Sequence, residues 1–123
     1  MYDSNIMKLA IEVSNLSTDP STKVGCVIID SGSKDILSVG YNSLKKWVIQ
    51  TDFNYVYSNK SIKRYATEHA EIQAFKNLKP TNSELDVYIT YPSCLPCTVD
   101  YLLNENHNIK NIFYIDRGSD SFI

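Results

Sequence analysis

With 123 residues, the chain is long enough to bury one hydrophobic core and too short for two, so residues 1–123 are read as a single domain. Hydrophobic content of 43% and charged content of 21% are ordinary for a folded globular protein. A net charge of −2 matches the phosphates of a polynucleotide poorly, and no apolar run approaches the ~20 residues that span a bilayer.

The opening Met1-Tyr-Asp-Ser-Asn5 lacks the basic and apolar regions of a signal peptide, so a cytoplasmic protein is expected. Ile6, Leu9, Ala10, Val13 and Leu16 recur at helical spacing and predict an amphipathic helix over 4–17, capped by Asp3 or Ser4. Asp19-Pro20-Ser21 breaks it. Val24–Asp30 is a β-branched run containing Cys26, which reads as a small buried hydrophobe. The turn 31–35 leads into a second run, Ile36–Tyr41, and the two predict a β-hairpin. Residues 43–66 show no clean period and scatter Trp47, Phe53, Tyr55, Tyr57 and Tyr65 among polar residues. A loop this long in a compact domain is usually functional, so it reads as a flap over a site. Its cations, Lys45, Lys46, Lys60, Lys63 and Arg64, are interleaved with Asp52 and Glu68, which suits a solvated loop better than a nucleic-acid surface.

Ala70, Ile72, Ala74, Phe75 and Leu78 predict a second helix beginning near His69 and ending before Lys79-Pro80. Leu85–Thr90 reads as a third strand, Cys97–Asn106 as a third helix and Asn111–Ile115 as a fourth strand. A helix, two strands and then strands alternating with helices predict an α/β sandwich around a partly parallel sheet.

Two short motifs carry more chemistry than a fold requires. Residues 67–74 read Thr-Glu-His69-Ala-Glu71-Ile-Gln-Ala, and residues 91–97 read Tyr91-Pro-Ser-Cys94-Leu-Pro-Cys97. An imidazole at His69 and thiolates at Cys94 and Cys97 would give zinc three protein ligands and leave its fourth position open, as in catalytic sites. Glu71 would then be free to carry protons. Its plainer role is a helix-start carboxylate stabilised by the dipole. A redox Cys-x-x-Cys would need no His-x-Glu, and a structural zinc site would need a fourth ligand. The remaining candidates for that, Cys26 and His107, sit where packing and a surface loop are expected.

The pairing of His-x-Glu with a downstream Cys-x-x-Cys resembles the cytidine deaminase superfamily. Asp19-Pro-Ser-Thr-Lys-Val-Gly25, Val39-Gly-Tyr-Asn42, Arg64-Tyr-Ala-Thr-Glu-His-Ala-Glu-Ile-Gln-Ala74 and Asn111-Ile-Phe-Tyr-Ile115 are most similar to segments of the deoxycytidylate (dCMP) deaminases. The resemblance covers nearly the whole chain. It implies a three-layer α/β/α fold around a central mixed sheet; the chain departs from the family in stopping at Ser121-Phe-Ile123, so a short C-terminus with a last helix and strand missing or reduced is expected. It further implies one zinc ion per chain and a small-molecule nucleotide substrate, with hydrolytic deamination of dCMP to dUMP and ammonia. A homo-oligomer follows from it too, a hexamer being the expected form.

By the same resemblance, Asn42 would bond the sugar 3′-hydroxyl and the Ala70 amide would hold the pyrimidine O2. As a residue leaving a strand, Asn42 equally suits a turn. Lys23 and Arg117, near strand ends, are the candidate phosphate contacts, each also readable as an ordinary surface charge. Ser93 stands where the family usually has Pro before the first ligand cysteine, and Ser43-Leu-Lys-Lys46 replaces a stretch with Gly and Pro-Arg-Gly. The other readings are a deaminase of deoxycytidine, cytosine or dCTP, a tRNA adenosine deaminase, which the acidity disfavours, and a non-catalytic zinc protein. That last would be expected to lack Glu71.

Overall fold

In the computed structural model of the chain, residues 2–45, 57–58, 66–91 and 107–115 are described. The first helix, α1, spans Ser4–Ser14 and is capped by Asp3, whose carboxylate accepts from the Asn5 amide at 2.9 Å. It ends earlier than the apolar spacing predicts. The Ser14 hydroxyl bonds back to the Ile11 carbonyl, and the amides of Asn15 and Leu16 bond the carbonyls three residues before them. Side chains that compete with the backbone for hydrogen bonds favour such an ending. Leu16, expected on the buried stripe, is 61% exposed as a result.

Four strands form the main sheet: β1 (Gly25–Asp30), β2 (Ile36–Tyr41), β5 (Leu85–Ile89) and β6 (Ile109–Tyr114). A separate two-stranded ladder joins β3 (Ser43–Leu44) to β4 (Thr67–Glu68). The sheet order is β2–β1–β5–β6, with β1 antiparallel to both neighbours and β5 parallel to β6. The sheet is therefore mixed. In the β1–β2 turn the Asp30 carboxylate accepts from the amides of Gly32 and Ser33, a local side-chain closure typical of aspartate.

The two faces of the sheet are sorted by the period-2 alternation of β1. Val27 and Ile29, with Tyr88, pack under Met7, Ala10 and Val13 of α1. Cys26 and Ile28, with Val87 and Ile89, pack under Ala70, Ala74 and Phe75 of the second helix, α2 (Ala70–Asn77). Central strands covered on both faces should be largely apolar, and every residue of β5 is buried, the exception in kind being Asp86, whose Oδ1 accepts from Asn111 Nδ2 at 2.9 Å. Three layers result, as the sequence predicts.

One glycine on each side sets how closely a helix can lie on the sheet. A Cβ at Gly25 would stand 2.1 Å from the Ala10 carbonyl oxygen of α1. A Cβ at Gly40 would stand 2.3 Å from the Ala70 carbonyl oxygen and 2.5 Å from the Ala74 amide of α2. The irregular segment 43–66 opens in β3, which pairs antiparallel with β4 just beyond the segment's end, Ser43 with Glu68 and Leu44 with Thr67. A two-residue ladder leaves no periodic trace in a sequence. The expected third helix and most of the expected flap lie outside the described residues.

Candidate active site

Gly40, Cys26 and Ile89 form one row across β2, β1 and β5. The start of α2 rests on this row, because its first carbonyl lies against Gly40. His69 is the N-cap of α2 rather than a residue of its first turn, with extended dihedrals of φ −70° and ψ 151°. Its imidazole makes no capping bond, which leaves the ring available for other work. Glu71 follows in the first turn, only 4% exposed, while the His69 side chain is 43% exposed.

His69 Nδ1 lies 3.3 Å from Glu71 Oε1. That carboxylate raises the pKa of His69 above its ordinary value by hydrogen bonding, against an opposing effect of burial. The nitrogen thus sits where positive charge is favoured. An imidazole beside a buried carboxylate, with two thiolate-forming cysteines later in the chain, is a donor set that suits zinc. Cys94, Cys97 and the phosphate candidate Arg117 lie outside the described residues. Thr90, four residues before Cys94, closes the row next to this end of the sheet. Its amide donates to the Gly25 carbonyl and its hydroxyl accepts from the Gly25 amide, both at 3.0 Å.

The third cysteine behaves as its apolar setting predicts. Burial, and then the nearby Glu71 carboxylate, push the Cys26 thiol well above its ordinary pKa. A neutral, fully buried thiol is neither a nucleophile nor a ready ligand. Cys26 should resist alkylation in the folded protein, and Cys26→Ala should retain the metal. Rapid labelling of Cys26 by iodoacetamide without unfolding would contradict this.

The sequence also points to Ala70, Asn42 and Lys23. Ala70 occupies the first helical position, where an amide has no carbonyl partner within the helix, and its side chain is buried. Asn42 leaves β2 at the same end of the sheet. Its Oδ1 accepts from the Val24 amide and its Nδ2 donates to the Thr22 carbonyl, each at 2.8 Å. Its side chain therefore does the local work of a turn residue, tying the 22–24 segment to the exit of β2. The Lys23 ammonium donates to the Ser17 carbonyl at 2.8 Å, within the loop between α1 and β1. In that loop Asp19 is buried and accepts from the Ser21 and Thr22 amides.

Sequence reasoning passed over Gln73. Its side chain accepts from the Tyr41 amide at 2.9 Å and donates to the Ser43 hydroxyl at 3.0 Å. The available signal was an amide interrupting the apolar stretch between Ile72 and Ala74.

A model of the cytidine and deoxycytidylate deaminase zinc-binding region matches residues 1–115. The chain belongs to this family. Members of the family are zinc-binding deaminases. The chain is 30% identical over 116 residues to a probable deoxycytidylate deaminase of Caenorhabditis elegans. That alignment takes in 93% of this chain and 57% of the relative, so the chain spans little more than half of that protein's length. The fold is shared with the dCMP deaminase of cyanophage S-TIM5. Its apo structure superposes with a TM-score of 0.62 at 19% identity, covering 89% of this chain and 82% of that one. The structure described as a complex with dCMP and dUMP gives 0.64 at 20%, covering 90% and 78%. This family likeness agrees with the mixed three-layer architecture.

Proposed function

We propose that the chain hydrolytically deaminates dCMP to dUMP and ammonia, using one zinc ion held by His69, Cys94 and Cys97. The observation that carries this is the buried Glu71 carboxylate 3.3 Å from the ring nitrogen of His69. The family match and the dCMP-deaminase names of the relatives support the substrate. When bound, zinc would supply Lewis acidity that lowers the pKa of water toward ~7.

Glu71 does the proton work. Its carboxylate takes a proton from the attacking water and delivers it to ring N3 as the C4–O bond forms, then takes the remaining proton of that oxygen and passes it to the amine as the C4–N bond breaks and ammonia leaves. The Ala70 amide holds the pyrimidine O2 and Asn42 bonds the 3′-hydroxyl, using acceptor and donor capacity beyond its bonds to Val24 and Thr22. Lys23 and Arg117 are the proposed phosphate contacts. Binding of the phosphate, remote from C4, helps hold the ring in place for reaction.

Purified protein should carry about one zinc per chain, and Cys97→Ser should lose metal and stability together. In a parallel absorbance assay of dCMP, deoxycytidine, cytosine and dCTP, dCMP should lead deoxycytidine by more than tenfold in kcat/KM, ~1.4 kcal/mol or more of transition-state binding. Equal turnover of deoxycytidine would sink the nucleotide assignment, and full zinc retention by Cys97→Ser would sink the ligand set. We also propose a homo-oligomer, a hexamer by family resemblance, which light scattering would read directly.

A further inference from the structure

The helix that carries His69 and Glu71 also grips the strand exit that carries Asn42. Gln73 closes the first turn of α2, and its side-chain amide reaches across to β2 and β3. Its Oε1 accepts from the amide of Tyr41, the residue before Asn42. Its Nε2 donates to the hydroxyl of Ser43, the residue after it. Both neighbours of Asn42 are thus tied to one side chain.

The same join is made a second time through the backbone. Ser43 pairs with Glu68, the residue just before His69. Asn42 then passes the constraint on, since its backbone amide donates to the Val24 carbonyl and its side chain holds the Val24 amide and the Thr22 carbonyl. A chain of bonds therefore runs from the start of α2, through Gln73, to Asn42 and the segment around Lys23. Without Gln73 the Tyr41 amide would lose its acceptor on the sheet's outer edge, and Asn42 would keep only the bonds on its inner side.

We propose that Gln73 is a positioning residue that sets the Asn42 amide relative to His69 and Glu71, and so fixes recognition of the sugar 3′-hydroxyl. This rests on the deamination proposed above. Hydrogen bonding to a hydroxyl discriminates against an analogue lacking it only if the partner is held in place. The effect of Gln73 should accordingly appear in the preference for dCMP over 2′,3′-dideoxycytidine monophosphate, which has no 3′-hydroxyl.

Gln73→Leu keeps the approximate size and removes both bonds. Gln73→Glu keeps both, since a carboxylate can accept from the Tyr41 amide and from the Ser43 hydroxyl. In the zinc-loaded protein, Gln73→Leu should raise KM for dCMP about tenfold with kcat within about threefold. The preference for dCMP over the dideoxy analogue should collapse, and Gln73→Glu should restore it. General loosening of the fold would lower turnover of both substrates together, so an unchanged preference in Gln73→Leu overturns the proposal. Hydrogen exchange needs no turnover. Gln73→Leu should speed exchange of the Tyr41 amide more than tenfold while the β1–β5 ladder keeps its protection, and unaltered exchange overturns the clamp itself. Wild-type protein that ignores dCMP overturns the deamination reading instead, leaving exchange to judge Gln73.

Discussion

Glu71→Gln should lower kcat by at least ~10²–10⁴, the usual worth of a positioned proton carrier, while zinc content stays at one per chain. The substitution is nearly isosteric, so the packing beneath α2 should hardly change. An amide oxygen can still face His69 Nδ1, but an amide cannot cycle protons between water, ring N3 and the leaving amine. Since Glu71 is proposed to ligate nothing, metal analysis separates this outcome from loss of the centre. Thermal stability should not fall by more than a few degrees, because the substitution removes a buried charge without leaving a cavity. Steady-state kinetics beside metal content is the decisive pair of measurements. Substantial turnover by Glu71→Gln would mean that another group moves the protons.

The second large effect should come from a single methyl group. At Gly40 an added Cβ would lie 2.3 Å from one backbone atom of α2 and 2.5 Å from another, so no flexible side chain can yield. The helix itself must move. Overpacking of this kind costs ~1–3 kcal/mol or more, a fall of roughly 5–15 °C in Tm for a chain of this size. Because α2 carries Glu71 and starts at His69, even a 1 Å displacement should reduce kcat/KM by about a hundredfold. Gly25→Ala is the matched control. Its Cβ would meet α1 at 2.1 Å, and α1 bears none of the proposed site residues. The two variants should lose comparable stability, with Gly40→Ala losing far more activity per degree of Tm. Equal activity losses would show that α2 is not held to the position its close contact implies.

Much of this fold could be read in advance, for definable reasons. The bounds of β2 follow from the turn at 31–35 and the strand-forming run after it, and the start of α2 follows from its apolar spacing. Apolar spacing overextends α1 because it counts Leu16 as core, whereas Ser14 and Asn15 have already turned the backbone. The β3–β4 ladder was invisible because two residues cannot display a period. In the site, His69 and Glu71 stood out because residue types that rarely serve a fold occurred at fixed spacing. Gln73 did not, because its partners are a backbone amide and a hydroxyl on other strands, and no spacing along the chain encodes them. Asn42 was legible as a motif residue, but its bonds to Thr22 and Val24 depend on a loop path that only the folded chain defines.

The central position of β1 has a kinetic consequence. Its pairing with β2 closes a short turn, whereas its pairing with β5 spans the long stretch from Asp30 to Leu85. Closing a loop of roughly fifty residues costs about 2 kcal/mol more than closing one of roughly five. The hairpin can therefore form early, while β5 must wait for the slower encounter. His69 precedes β5 in the chain and both cysteines follow it, so the three proposed ligands remain on opposite sides of that late step. Zinc captured there would act mainly after the folding barrier is crossed, prolonging the life of the assembled chain more than hastening its birth.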